Sequence, residues 1–358
     1  MKRIYIYVIT AFALLAGACS DNNLNDDAPV VPATPDIVIP EGAAEGELLI
    51  KFVPEMTEIL DRTMKTRAAG ASTRSGIPST DEVLSILGAY DFERVFPVDS
   101  RTEEKSREAG LHLWYLVRFD KNTDLKEAME RLSGLGEISK LQINPAIQRA
   151  YNPKKKPVPV SEAALNRMRT RAAADNGFKF NDALLPHQWG YINRGAYDFA
   201  TEKAPAIVGS DVNCEEAWEL CTGDPEIIVA VLDEGVMYTH EDLTDNMWVN
   251  EKEQVGSDQD NDGNGYKGDR YGYDFVKDNG NISWQAAEDT GHGTHVAGTI
   301  AAVNGNNIGV CGIAGGNGTK GGVRIMSCQV FDGDGQVRMV NEARAIKYAA
   351  DNGAVILQ

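Results

Sequence analysis

The sequence predicts an α/β chain in two folded parts: a parallel-sheet unit over residues 181–358, preceded by an α+β, ferredoxin-like unit over residues 45–150. Three observations carry that expectation. Ile227–Leu232 (IIVAVL) is an uninterrupted apolar run, the pattern of a strand covered on both faces of a parallel sheet. Beyond it, helix-like Thr294–Ala302 and Val340–Ala350 alternate with strand-like Arg324–Val330 and Ala354–Leu357, the repeat of βαβ units. Upstream, apolar β-rich runs at Glu47–Val53, Leu111–Phe119 and Ile138–Ile147 are separated by helical patterns, a β-α-β-α-β order for which a split βαβ sheet is the simplest architecture.

Taken from the start, Met1-Lys2-Arg3 leads into an uncharged apolar run from Ile4 to Ala16 and then small residues, a secretory signal over 1–18 that is too short to span a membrane. The segment Leu15-Ala16-Gly17-Ala18-Cys19 resembles the lipobox of bacterial lipoproteins. That resemblance makes Cys19 the expected lipidation site, with ordinary secretion as the alternative. An extracytoplasmic location follows, at the bacterial outer membrane or cell surface, with membrane contact only through the N-terminal lipid anchor. Residues 19–44 are polar and proline-bearing, a disordered tether.

Within 45–150, Val83, Ile86, Leu87 and Tyr90 repeat at helical spacing behind a Ser79-x-x-Glu82 capping box, and Leu125, Ala128, Met129 and Leu132 mark a second helix. Pro153, Lys154-Lys155-Lys156, Pro157 and Pro159, then Arg167, Arg169 and Arg171 among alanines, make 151–180 an exposed basic linker open to proteolysis. Glycine-rich loops between apolar runs begin near Asn181. The sequence stops at Gln358, just past an apolar strand, so the second unit is expected to be C-terminally incomplete.

The formal charge of −18 sits almost wholly in the second half, where residues 181–358 hold 11 Lys+Arg against 28 Asp+Glu. Such a field disfavours nucleic acid and anionic membrane surfaces; it suits bound cations or plain solubility. Besides Cys19 there are Cys214, Cys221, Cys311 and Cys328, an even number in an exported chain. Cys214 and Cys221 flank a helix-like segment that separates them by about 10 Å, too far to bridge, so buried free thiols are expected.

Asp233 follows the apolar strand directly, in Val231-Leu232-Asp233-Glu234-Gly235-Val236, which puts its carboxylate at the carboxyl end of a central parallel strand, where open α/β sheets hold their sites. His292 opens Gly291-His292-Gly293-Thr294-His295-Val296-Ala297-Gly298-Thr299-Ile300-Ala301-Ala302, a helix of small residues able to pack close to the sheet. His292 and His295 lack the glutamate and third ligand of a metal motif.

Those two motifs, in that order, resemble the subtilisin-like (subtilase) serine proteases over roughly Leu185–Gln358, and the unit at 45–150 is similar to the family's intramolecular-chaperone propeptide. The resemblance implies a subtilisin-like catalytic domain in which Asp233 orients His292 and His292 is the general base for a serine hydroxyl. Its substrates would be peptides or proteins. Glu234 stands where the family usually has Thr or Ser; a carboxylate there would raise the histidine pKa. The family's Gly-Thr-Ser motif does not occur after His292, where the one serine is Ser327 in a strand-like context. The turn holding Gly333, Asp334 and Gly335 resembles the family segment that pairs with an extended peptide, and Asp334 would favour basic substrates. Alone, residues 1–358 are expected to be inactive. A non-catalytic peptide-binding or inhibitory module is the alternative.

Asp258, Asp260, Asp262, Asn264, Tyr266 and Asp269 follow the spacing of an EF-hand-type loop, with four carboxylates in twelve residues that need a counter-charge, so calcium is the expected cofactor. By resemblance only, Asp242 with Asn306 (or Asn304), Ile308 and Val310 would form the family's structural calcium site.

Overall fold

The computed structural model describes residues 37–66, 73–149, 161–164, 166, 177–195, 206–284, 289–332 and 336–358, and residues 37–358 form one compact unit. The expected signal, Cys19, most of the tether and of the basic linker, and Gly333, Asp334 and Gly335 lie outside the described residues.

The first sheet contains β1 (Ala43–Phe52), β2 (Asp91–Arg94), β3 (Trp114–Arg118) and β4 (Ile138–Gln148), all antiparallel, in the order β2-β3-β1-β4. Strand alternation decides its two faces. Leu48, Ile50 and Phe52 of β1 meet Phe92, Tyr115 and Val117 in one core, covered by α1 (Thr57–Thr66), α2 (Pro78–Ile86) and α4 (Leu125–Ser133) through Leu60, Leu84 and Leu132. Leu49 and Leu116 point to the other face, where they pack on Val340 together with Val95 and Phe96.

The second sheet is parallel, ordered β6-β7-β5-β9, from β5 (Ile228–Asp233), β6 (Gly272–Asp274), β7 (Arg324–Gln329) and β9 (Ala354–Leu357). The unbroken apolar run of β5 now has its reason. Val229 and Val231 pack under Ala297 and Ala301 of α6 (His292–Ala301), while Ala230 packs under Ala345 and Tyr348 of α7 (Met339–Asp351), so both faces are covered. α5 (Cys214–Leu220) packs aside, its Trp218 against Phe180 and Cys311.

The sheets are joined by β8 (Gln336–Arg338), which leaves the parallel region to pair antiparallel with β4 through Ala146↔Arg338, Ile147↔Val337 and Gln148↔Gln336. Asn144 Oδ1 then accepts the Val340 N–H at the start of α7 (3.1 Å), giving one of that helix's orphan donors a partner.

Several local expectations are corrected. β2, β8 and α3 (Glu103–Glu108) lack the periodicity that would announce them, α1 presents Ile59, Leu60 and Met64 to the core at a helical spacing that the sequence reading passed over, and Leu111–Leu113 form a 3₁₀ turn before β3 rather than its first residues. The Ser79–Glu82 capping box does not form: α2 starts at Pro78, whose missing N–H costs nothing there, and the Ser79 hydroxyl donates to Glu137 Oε1 instead (2.5 Å). Phe178 and Phe180 already pack with the second region, so the linker is over before 181. Cys214, Cys311 and Cys328 are buried free thiols as expected, but Cys221 is exposed. No helix among the described residues is long and apolar enough to cross a membrane.

Candidate active site

Asp233 is the last residue of β5, a strand flanked by β7 and β9, so its carboxylate stands at the carboxyl edge of the sheet. His292 is the first residue of α6, which crosses above that edge. The approach is close: a Cβ on Gly293 would lie 2.2 Å from the Glu234 carbonyl oxygen, so only glycine fits beside the histidine. The result is a 2.7 Å hydrogen bond from His292 Nδ1 to Asp233 Oδ2. With Nδ1–H given to the carboxylate, Nε2 is the acceptor nitrogen of the ring, and the imidazole is 38% exposed. Asp233 is mostly buried, and burial pushes its carboxyl above the usual range; the Glu234 N–H on Oδ1 (2.6 Å) and the neighbouring His292 pull it back.

Glu234 is buried beside this pair. Its Oε2 accepts the backbone N–H of Thr290 (2.9 Å) and of His292 (3.3 Å), and the Thr290 hydroxyl donates to both carboxylate oxygens. A carboxylate at the first turn of α6 suits the positive end of the helix. Arg149, one residue past β4, forms an ion pair with Oε1. The sequence reading missed Arg149, because nothing local links a residue of the upstream unit to one 85 positions later. Ser327 is fully buried in β7 with its Oγ accepting the Val236 N–H (3.2 Å), a structural position out of reach of a substrate. His295 is exposed, one turn along α6 from His292.

The acidic loop folds differently from its template. Carboxylate oxygens of Glu253, Asp262 and Asp269 lie within 4.8 Å of one another, while Asp258 is exposed and Asp260 is spent on the N–H groups of Gly263, Asn264 and Gly265. Tyr266 turns its ring into the core against Tyr273 and Tyr348, and its N–H donates to Asn264 Oδ1. Asn264 and Tyr348 both donate to Asp269 (2.8 Å each). Burial, with Asp262 and Glu253 nearby, pushes Asp269 up to about 6. Glu253 escaped the sequence reading because it precedes the twelve-residue pattern; the clustered acids of Glu251-Lys252-Glu253 were the available signal. Three converging carboxylates form a hard, all-oxygen set suited to calcium.

At the second expected site, Asp242 accepts from Asn306 Nδ2 (2.8 Å) and the Val310 N–H (2.9 Å), and Ile308 N–H donates to Asn306 Oδ1. Asn304 is turned into the interior, bonded to Gly312 and Gly316, which resolves the choice between the two asparagines as to which meets Asp242. Asp242 is pushed up to about 6 by burial, and Asp182, also missed, adds repulsion from across the loop, where it accepts the Gly305 N–H (2.7 Å).

Residues 224–357 match the model of the Subtilase family of peptidases. The chain is similar to Subtilisin-like protease 1 of Plasmodium vivax (32% identical, 54% of this chain, 28% of that protein). It is also similar to the Halolysin-like extracellular serine protease Nep of Natrialba magadii (34%, 41% and 22%) and to Kexin of Saccharomyces cerevisiae (28%, 63% and 23%). It thus spans less than a third of the length of each of these relatives. Among solved structures, fervidolysin of Fervidobacterium pennivorans, a keratinolytic enzyme related to subtilisin, aligns at 19% identity and a TM-score of 0.43, over 89% of this chain and 36% of that one. The segment that carries Asp233 and His292 is thus similar to the subtilase family of serine proteases.

Proposed function

We propose that the protein is an exported serine endopeptidase precursor, hydrolysing peptide bonds through an Asp–His–Ser triad whose serine lies outside residues 1–358. The observation that carries this reading is the 2.7 Å Asp233–His292 hydrogen bond at the carboxyl edge of β5, with the imidazole 38% exposed. Asp233 holds the tautomer and stabilises the imidazolium; His292 takes the serine proton and returns it to the leaving amine. The strand order β2-β3-β1-β4 supports reading 45–150 as a ferredoxin-like propeptide that chaperones the catalytic part. Calcium would be held by Glu253, Asp262 and Asp269, and a second ion by Asp242 and Asn306 with Asp182. Export with a lipid anchor at Cys19 places the enzyme outside the cytoplasm, where peptides and proteins are its substrates.

The β4–β8 pairing favours one other reading, a peptide-binding or inhibitory module, because β8 takes up an extended segment as an added strand without any bond being cut. The two separate in one assay. Residues 1–358, a form extended through the downstream reading frame, and its His292→Ala variant are incubated with an unstructured protein. Hydrolysis by the extended form alone supports the protease; activity in 1–358, or activity that survives His292→Ala, sinks it.

A further inference from the structure

The three carboxylates that converge in the acidic loop have buried side chains, and their hydrogen-bond partners are nearly all neutral. Glu253 accepts the backbone N–H groups of Asn261, Asp262 and Gly268. Asp269 accepts from the side chains of Asn250, Asn264 and Tyr348. Asp262 accepts from Asn250 Nδ2 and from the Asn264 N–H (3.2 Å each). Among the described residues one cation reaches the cluster: Arg101, whose Nη1 lies 3.5 Å from Asp262 Oδ2. Arg101 comes from the other region, in the turn between β2 and α3. The antiparallel region therefore supplies the charge that partly balances a site of the parallel one.

Arg101 is held firmly on one side and loosely on the other. Its backbone N–H (2.8 Å) and its Nε (3.0 Å) both donate to Asp99 Oδ1, and Nη2 donates to Asp99 Oδ2 (2.7 Å). Asp99 is itself buried, so it fixes the side chain from behind. Nη2 also donates to Asn352 Oδ1 (3.1 Å), just past the end of α7, while Lys347 and Asp351 of that helix pair with each other nearby. Yet the Arg101 side chain is 39% exposed, and 3.5 Å is longer than a hydrogen bond, so water can replace what it would give up at Asp262. A divalent cation can take oxygen from all three carboxylates where Arg101 reaches one. A guanidinium beside one of those oxygens repels it.

We propose that Arg101 and calcium are competing counter-charges for Asp262, so that calcium unfastens the 99–102 turn from the acidic loop: a latch between the two regions that the cation releases. The inference rests on reading Glu253, Asp262 and Asp269 as a calcium site. Linkage makes the effect reciprocal: the factor by which calcium weakens the latch is the factor by which the latch weakens calcium binding. Calcium is titrated by calorimetry into the chelator-treated full-length protein carrying Asp242→Asn, so that the other candidate site is silent. Adding Arg101→Gln, which removes the charge, should tighten binding at least about fivefold. Hydrogen exchange gives a second readout that needs no substitution at Arg101. In the wild type the amides of Arg101 and Thr102, both bonded to Asp99, should exchange at least about fivefold faster once calcium is added, with Leu48 and Tyr115 still protected. Equal or weaker calcium binding in Arg101→Gln, or wild-type amides that calcium leaves unmoved or protects, overturns the latch while the calcium site stands. If Asp269→Asn takes up calcium as tightly as its Asp242→Asn parent, or the parent takes up none, the calcium reading falls and the latch with it.

Discussion

The sheet of residues 43–148 buries aromatic and aliphatic side chains, and its few buried charges are paired: Asp99 with Arg101 (2.7 Å), Arg94 with Glu103 (3.0 Å). The parallel region buries Asp233, Glu234, Asp242, Glu253 and Asp269, and of these Asp242 and Asp269 face further carboxylates rather than cations. The first region is centred on apolar burial, which chelators do not touch. The second buries carboxylates that lie close to one another in its loops, where burial and mutual repulsion push Asp242 and Asp269 up to about 6.

The largest test of that contrast lies in the apolar core. Phe52 is fully buried between the rings of Phe92 (6.1 Å) and Tyr115 (5.6 Å), and Phe52→Ala should lower unfolding stability by about 3–5 kcal/mol in urea titration, equally with calcium or chelator. A loss below about 1 kcal/mol, or one that calcium restores, would mean the first region does not stand on packing.

Next comes the acidic loop. Asp269 is raised to about 6 when folded, from 3.8, so below about pH 4 it carries a proton in both states and imposes no penalty. As pH rises through 6 the folded chain must ionise a buried carboxyl, and stability falls by up to about 3 kcal/mol. Asp269→Asn, neutral at every pH, should lack that decline. Melting temperatures of chelated wild type and variant from pH 4 to 8 isolate the difference, and millimolar calcium should erase the wild-type decline. Stability that rises instead with the wild-type carboxylate, or indifference to calcium, contradicts the assignment.

The smallest effect belongs where the two regions meet. Asn144, fully buried, donates to Glu47 Oε2 (2.7 Å) and accepts from Val340 N–H, so Asn144→Ala should cost about 1–2 kcal/mol. Hydrogen exchange should show the loss at the start of α7 with the first core still protected; loss of protection at Leu48 and Tyr115 would place Asn144 inside that core instead.

What the sequence announced, and what it hid, follow the range of the causes. The placement of Asp233 and His292 was legible because strand, edge residue and small-residue helix are written in consecutive positions. β2 (Asp-Phe-Glu-Arg) and β8 (Gln-Val-Arg) were not, because each is too short and polar for periodicity and exists through a partner strand distant in sequence. The acidic loop shows the same limit from the other side: the spacing pointed to Asp262 and Asp269, and folding brings Glu253 beside them while Asp258 stays exposed. Arg149 is invisible to any local rule, because its partner Glu234 lies 85 positions away.

The claim that Asp233 and His292 are the working half of a serine protease is tested most directly by reacting the full-length protein with a sulfonyl fluoride and mapping the modified peptide. The account predicts modification of one serine outside residues 1–358, slowed at least about a hundredfold by His292→Ala because the base that activates the hydroxyl is gone. Modification at Ser327, or a rate indifferent to His292→Ala, would contradict it.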